Sequence, residues 1–140
     1  MQSDEIVDAL NRNLEKEYGS VLLYIQISNE PQISKNKNMK KILSQLAEDE
    51  MRHAERLADR LAVMGKKSSW HIAQFERKQT LRENIIQIIK SEEDSIKEYT
   101  ILIEELHDQP DFQQTMKTIL AEEKGHKARA EALLKSADVL

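Results

Sequence analysis

Four long segments of this chain carry apolar residues at helical spacing, and each has a glutamate on its apolar stripe. The glutamates are Glu17, Glu50, Glu92 and Glu123; two of them are followed at i+3 by a histidine, His53 and His126. The apolar stripe of an amphipathic helix faces a core. A carboxylate placed there is strongly destabilising unless hydrogen bonds or an opposite charge compensate it. A chain that does this four times has to bring the four groups to something that neutralises them. A metal site inside a helix bundle does so.

The stripes define the elements. The first helix spans about residues 4–28, capped by Ser3 or Asp4, with Val7, Leu10, Leu14, Glu17, Val21 and Tyr24 inward. Gly19 sits in its middle at a cost of roughly 1 kcal/mol, which signals close approach by a neighbour. Residues 29–38 hold Pro31 and three Asn and read as a loop. The second helix, 37–64, turns Met39, Leu43, Leu46, Glu50, His53, Leu57, Leu61 and Met64 inward and stops at Gly65. The third, 80–106, uses Ile85, Ile89, Glu92, Ile96, Tyr99, Ile103 and Leu106. The fourth, 111–136, uses Phe112, Met116, Ile119, Glu123, His126, Ala130 and Leu133. The turn from His107 to Pro110 is short, so the last two helices form an antiparallel hairpin.

Residues 65–79 are a longer connection. A helix of about 27 residues is about 40 Å long, and fifteen extended residues reach about 50 Å. The segment can therefore return the chain to the end where the second helix began, leaving helices two and three parallel. Trp70 is expected to pack this crossover onto the bundle. The expected fold is all-α: one domain over 1–140, a four-helix bundle of two antiparallel hairpins joined by a long crossover.

Composition agrees and excludes several functions. Gly 3, Pro 2 and 4% aromatics leave a chain of good helix formers. The net charge of -4 offers no basic stripe for nucleic acid. No apolar run approaches the ~18 residues of a spanning helix, so no membrane partner is expected. The polar, acidic start does not read as a signal peptide, and a cytoplasmic protein is expected. With no cysteine, disulfides, thiol catalysis and cysteine-held zinc or iron–sulfur centres are excluded within the chain. His71 and His107, in or beside loops, and Lys35, Lys37, Lys40 and Lys41 read as solvated groups.

An internal repeat sets the register. Shifted by 75 positions, Leu10, Leu14, Glu17, Val21 and Tyr24 fall on Ile85, Ile89, Glu92, Ile96 and Tyr99. Shifted by 73, Met39, Leu43, Leu46, Glu50, His53 and Leu61 fall on Phe112, Met116, Ile119, Glu123, His126 and Leu134. Two hairpins related by a pseudo-two-fold axis follow. The repeat also prefers Glu92 to its neighbour Glu93, because only Glu92 lies seven residues before a Tyr, as Glu17 does.

One Glu from each of two helices with Glu-x-x-His from each of the other two matches the di-iron carboxylate bundle arrangement. This is a match to a known pattern, and the physics supports it. Four close carboxylates raise one another's pKa values, and two divalent cations cancel their four charges. Oxygen and imidazole ligands suit iron or manganese. Glu50 and Glu123 would bridge; Glu17 with His53 and Glu92 with His126 would be terminal, in a pairing the sequence leaves open. Tyr99 either mirrors Tyr24 in holding a ligand Glu or fills the core.

The segments LNRNLEKEYGSVLLY, AEDEMRHAERLADRL and ILAEEKGHKARAEAL resemble ferritin-like proteins, bacterioferritin most closely and the rubrerythrin bundle second. The resemblance spans residues 4–136. It implies that Glu17, Glu50, His53, Glu92, Glu123 and His126 form a ferroxidase site and that Tyr24 stands beside it. It further implies that two Fe(II) react there with O₂ or hydrogen peroxide, for iron storage or detoxification. Met51 falls where bacterioferritins bind haem between two subunits; the alternative is a half-exposed Met that packs at a helix–helix contact. A homodimer or larger homo-oligomer is expected. Up to Leu140 no counterpart is expected of the short fifth helix that helps build bacterioferritin shells. The alternatives are a rubrerythrin-like peroxide or O₂ reductase fed by an external electron donor, and a metal-stabilised interaction module without turnover.

Overall fold

The computed structural model describes residues 1–137. Its helices are α1 (Ser3–Ser28), α2 (Pro31–Ser34), α3 (Lys37–Val63), α4 (Leu81–Glu105) and α5 (Pro110–Ala137). Local chemistry sets the ends. Gln2 rather than Ser3 or Asp4 caps α1, its amide donating to Glu5 Oε1 at 3.0 Å. The side chains of Asn36 and Thr80 accept from the amides of Met39 and Glu83 at the starts of α3 and α4. At the end of α3, Gly65 has φ +71, and Lys66 N–H reaches back to the Leu61 carbonyl at 2.8 Å. That left-handed residue closes the helix and satisfies a terminal carbonyl.

The stretch expected to be loop between α1 and α3 contains the one-turn helix α2. Pro31 supplies a preset φ at its first position, and Ile33 inserts fully into the core. Four residues are too few to show a helical period, so the stripe argument could not find it.

The chain packs as two hairpins, α1 with α3 and α4 with α5. The first Met1 amine meets Glu105, and Lys16 meets Glu98. α1 and α4 are thus antiparallel, which makes α3 and α4 parallel. The crossover that permits this runs along α1: Asn11 holds the backbone at Lys67 and Ser69, and the Ala73 amide donates to the Glu15 carbonyl at 3.0 Å.

Two expectations need correction. Trp70 does not pack the crossover down; it is 94% exposed. Phe75 does so, lying partly buried against the core beside Gly19. On α4, Ile88 and Leu102 are buried, whereas Ile89, Ile96 and Ile103 are half-buried. A run of isoleucines satisfies more than one helical stripe, and packing against α1 and α5 selects among them.

The core is divided. One apolar cluster includes Leu10, Leu14, Leu57, Leu61, Tyr99, Phe112 and Met116. A second includes Tyr24, Ile27, Ile33, Leu43, Leu46, Ile85 and Ile88. Between them lies a buried polar layer.

Gly19 is where the crossover meets α1. A Cβ there would lie 2.5 Å from the Ala73 carbonyl oxygen and 2.7 Å from a Phe75 ring carbon. Helix propensity alone would make Gly19→Ala stabilising by about 1 kcal/mol. The overpacking is expected to win, for a net loss of about 1–2 kcal/mol in urea denaturation. A more stable Gly19→Ala protein would refute this packing of the crossover.

Candidate metal centre

The buried polar layer consists mainly of the six residues singled out by the stripes. Glu17, Glu50, His53, Glu92, Glu123 and His126 are all buried, and Glu93 is exposed. Each sits at mid-helix, where a rigid backbone on both sides fixes its direction. Their ligand-type atoms form two groups, Glu17, Glu50, His53 and Glu123, and Glu50, Glu92, Glu123 and His126. Within each group these atoms lie within 4.8 Å of one another. Glu50 and Glu123 belong to both groups. Glu17 therefore goes with His53, and Glu92 with His126, which resolves the pairing left open by the sequence.

Tyrosines cross between the hairpins. Tyr24 donates to Glu92 Oε1 at 2.6 Å, and Tyr99 donates to Glu17 Oε1 at 2.8 Å. The shift of 75 that takes Tyr24 to Tyr99 also takes Glu17 to Glu92, so the two bonds are one contact repeated about the pseudo-two-fold axis. Tyr99 fills core and holds a carboxylate. The rings of His53 and His126 stack with centroids 5.6 Å apart. Their outer nitrogens meet carboxylates that the stripe argument did not select. His53 Nε2 meets Glu122, and His126 Nε2 lies 3.0 Å from Asp49 Oδ2. Asp49 and Glu122 are themselves 73 positions apart, so the repeat carried a signal for them. Met51 is not brought to the layer; it is exposed on α3. His71 and His107 are exposed and away from it.

The residues fit a metal by a direct test. Glu17 Oε2, Glu50 Oε1, His53 Nδ1, Glu92 Oε2, Glu123 Oε1 and His126 Nδ1 are buried without a hydrogen-bond partner. Each of the six residues thus contributes one such atom. An unpaired buried polar atom costs on the order of 1–3 kcal/mol. Six that converge make a cluster whose lone pairs could hold metal cations.

Electrostatics point the same way. Burial, then the charges of Glu17 and Glu123, pushes Glu50 well above the usual carboxylate range. Burial and Glu123 do the same to Glu92. Burial and Glu17 raise Glu123 to about 8. Glu17 is held low: burial opposes this, but its contacts with Glu50 and His53 and the hydrogen bond from Tyr99 outweigh it. For His53, burial acts downward, and Glu17 and Glu122 overcome it and raise the pKa. Burial beside these carboxylates pushes Tyr24 and Tyr99 well above 10.0, so both remain hydrogen-bond donors.

The family model for rubrerythrin matches residues 8–134. The chain belongs to the rubrerythrin family. No curated protein matches its sequence. Among solved structures it is similar to a ferritin-like, diiron-carboxylate protein from Bacillus anthracis str. Ames, with TM-score 0.85 and 21% identity over 96% of this chain and 99% of that one. It is also similar to bacterioferritin from Mycobacterium tuberculosis, with TM-score 0.87 and 22% identity over 99% of this chain and 89% of that one. At such identity the likeness establishes the fold, a ferritin-like bundle. Both resemblances read from the sequence are supported, rubrerythrin by the family match and bacterioferritin by the shape. This member of a ferritin-like di-iron family thus carries a carboxylate and histidine cluster that could hold metal. Among the described residues, no helix is long and apolar enough to cross a membrane.

The pKa shifts set a pH dependence for the metal-free protein. Glu50, Glu92 and Glu123 hold their protons more tightly folded than unfolded, so they stabilise the fold fully below about pH 4.5 and lose this as pH rises through their folded values. His53, also raised, acts in the same sense; Glu17, lowered, opposes them. With chelator present, the melting temperature is expected to fall between about pH 5.5 and pH 8.5. Mn(II) should remove most of that fall. A metal-free protein that melts higher at the alkaline end would contradict the buried-carboxylate picture.

Proposed function

We propose that the polar layer binds two iron ions and that the protein oxidises Fe(II) with O₂ or hydrogen peroxide. The observation that carries this reading is the set of six unpaired ligand atoms, one from each of Glu17, Glu50, His53, Glu92, Glu123 and His126. Glu50 and Glu123 would bridge, and each remaining Glu–His pair would hold one ion. The ions supply redox chemistry that no side chain here has: two Fe(II) give two electrons, which with two protons convert one hydrogen peroxide to two waters. The chain's own part is to orient the ligands and exclude bulk water. Tyr24 and Tyr99 fix the terminal carboxylates through their hydroxyls. The two apolar clusters close the layer above and below. Manganese shares this ligand preference, so metal analysis decides the identity.

The family match favours a second reading. Iron would stay bound, reduce peroxide or O₂, and be re-reduced by an external donor, since the chain has no cysteine for an iron centre of its own. Adding Fe(II) in large excess in air separates the two. Sustained oxidation with ferric accumulation supports storage or detoxification; oxidation that stops at two retained ions per chain supports the reductase. Metal bound with neither activity leaves the interaction module. Size-exclusion chromatography tests the expected homo-oligomer. Haem would require two copies presenting Met51 to each other, and an absorption spectrum without a haem band removes Met51 from the cofactor sites.

Replacing a bridging residue tests the centre itself. Glu50→Ala and Glu123→Ala are each expected to abolish dinuclear binding. Fe(II) oxidation should slow by more than the roughly 10–100-fold that changes behind a ligand produce. Unchanged metal content in both variants by elemental analysis would sink the assignment.

A further inference from the structure

Where α3 begins and α5 ends, the bundle carries an open notch of about 530 Å³. Its apolar lining is Met39, Ile42, Ala132 and Leu133, and Asn38, Arg129 and Ser136 are among its polar residues. Exposed cations adjoin it on both helices. Lys37 and Lys41 are the chain neighbours of Asn38 and Ile42, and Arg129 and Lys135 stand exposed on α5. Among the described residues, none of these four pairs with a carboxylate. α3 has no carboxylate before Glu48. On this part of α5 the acid is Glu131, and it lies 3.8 Å from Lys127. The two helices meet here with opposite ends, so their dipoles oppose each other and the positive field comes from side chains.

An apolar centre inside a polar rim is the anatomy of a protein interface. A basic rim without counter-charge selects an acidic partner and steers its approach. A nucleic acid would meet the same cations but gain little from the apolar notch. The notch is also close to the polar layer. Arg129 stands one turn beyond His126, and Ile42 is eight residues before Glu50, about 12 Å along α3. We propose that this notch docks a small acidic electron-carrier protein, which delivers electrons to the His126 side of the layer. This rests on the second reading above, in which an external donor re-reduces the iron. Two reduced carriers, docking in turn, each lose one electron, and the two electrons return two ferric ions to Fe(II). Lys37, Lys41 and Arg129 steer the carrier, and apolar contact at Ile42 and Ala132 holds it.

The test uses the full metal-free chain with an acidic flavodoxin as probe, followed by calorimetric titration and amide NMR. The unaltered chain should bind it, less tightly as salt screens the rim, with shifts confined to the start of α3 and the end of α5. Lys37→Glu combined with Arg129→Glu should weaken binding roughly tenfold or more. Lys66→Glu combined with Lys67→Glu changes the net charge equally. Those two lie past the far end of α3, about 40 Å away, many times the Debye length of about 8 Å. They should leave the affinity within about twofold. Ala132→Asp puts a charge into the notch at an exposed position and should also weaken binding. All five positions are exposed, so the variants keep the core intact. No binding by the unaltered chain would overturn the proposal. So would equal losses in the two double variants, an Ala132→Asp chain that binds unchanged, or a DNA duplex bound as tightly at the same residues. In the iron-loaded chain, reduction by flavodoxin that is as fast in the Lys37→Glu, Arg129→Glu variant would overturn the docking site and spare the reductase reading. Binding at the notch with no reduction of ferric iron would overturn electron delivery and the reductase reading together.

Discussion

The cost of removing carboxylates from water governs this molecule. Four glutamates in one buried layer cannot all be ionised without counter-charge, and the shifts at Glu50, Glu92 and Glu123 express that strain directly. The rest of the architecture answers it. Tyrosine hydroxyls reach in from both apolar clusters, the histidines stand beside Glu123 and Glu50, and outer carboxylates hold the far side of each ring. The layer is poorly solvated, so each of these contacts is worth more than it would be at the surface.

Symmetry makes the solution economical. Glu17 and Glu92, Tyr24 and Tyr99, Glu50 and Glu123, His53 and His126, and Asp49 and Glu122 are five pairs related by one axis. A single packing arrangement, used twice, satisfies both halves. The crossover departs from that symmetry. It is held to α1 along its middle and to Asn84 and Gln87 of α4 at its end, and Gly19 is the position where α1 makes room for it. Gly19 has no glycine counterpart on α4, since the shift of 75 places Asp94 there.

The sequence exposed the six core-facing polar residues because they violate a strong rule, that apolar stripes stay apolar. The repeat then separated Glu92 from Glu93, and the structure buries the first and exposes the second. Where no rule was violated, the apolar stripes gave no sign, and for Asp49 and Glu122 only the 73-residue repeat carried one. Asp49 and Glu122 lie on partly exposed positions where an acid is ordinary, and only their partners make them special. Which isoleucines of α4 face inward depends on neighbouring helices that no local pattern encodes. Trp70 misled because bulk and apolarity favour burial on average, whereas the actual contact with α1 is made by Phe75. The half-site pairing likewise needed three dimensions.

Neither hairpin contains a whole site. The group around His53 draws Glu123 from the second hairpin, and the group around His126 draws Glu50 from the first. Each half lends the other one carboxylate. Separately folded hairpins would hold three candidate ligands apiece, one short of either group of four. Coordination is complete only when the two halves have docked in the correct register, since a slip of one helical turn would move a shared glutamate by about 5.4 Å. Metal capture at this layer would therefore act as an assembly checkpoint, rewarding one alignment of the halves over its near neighbours.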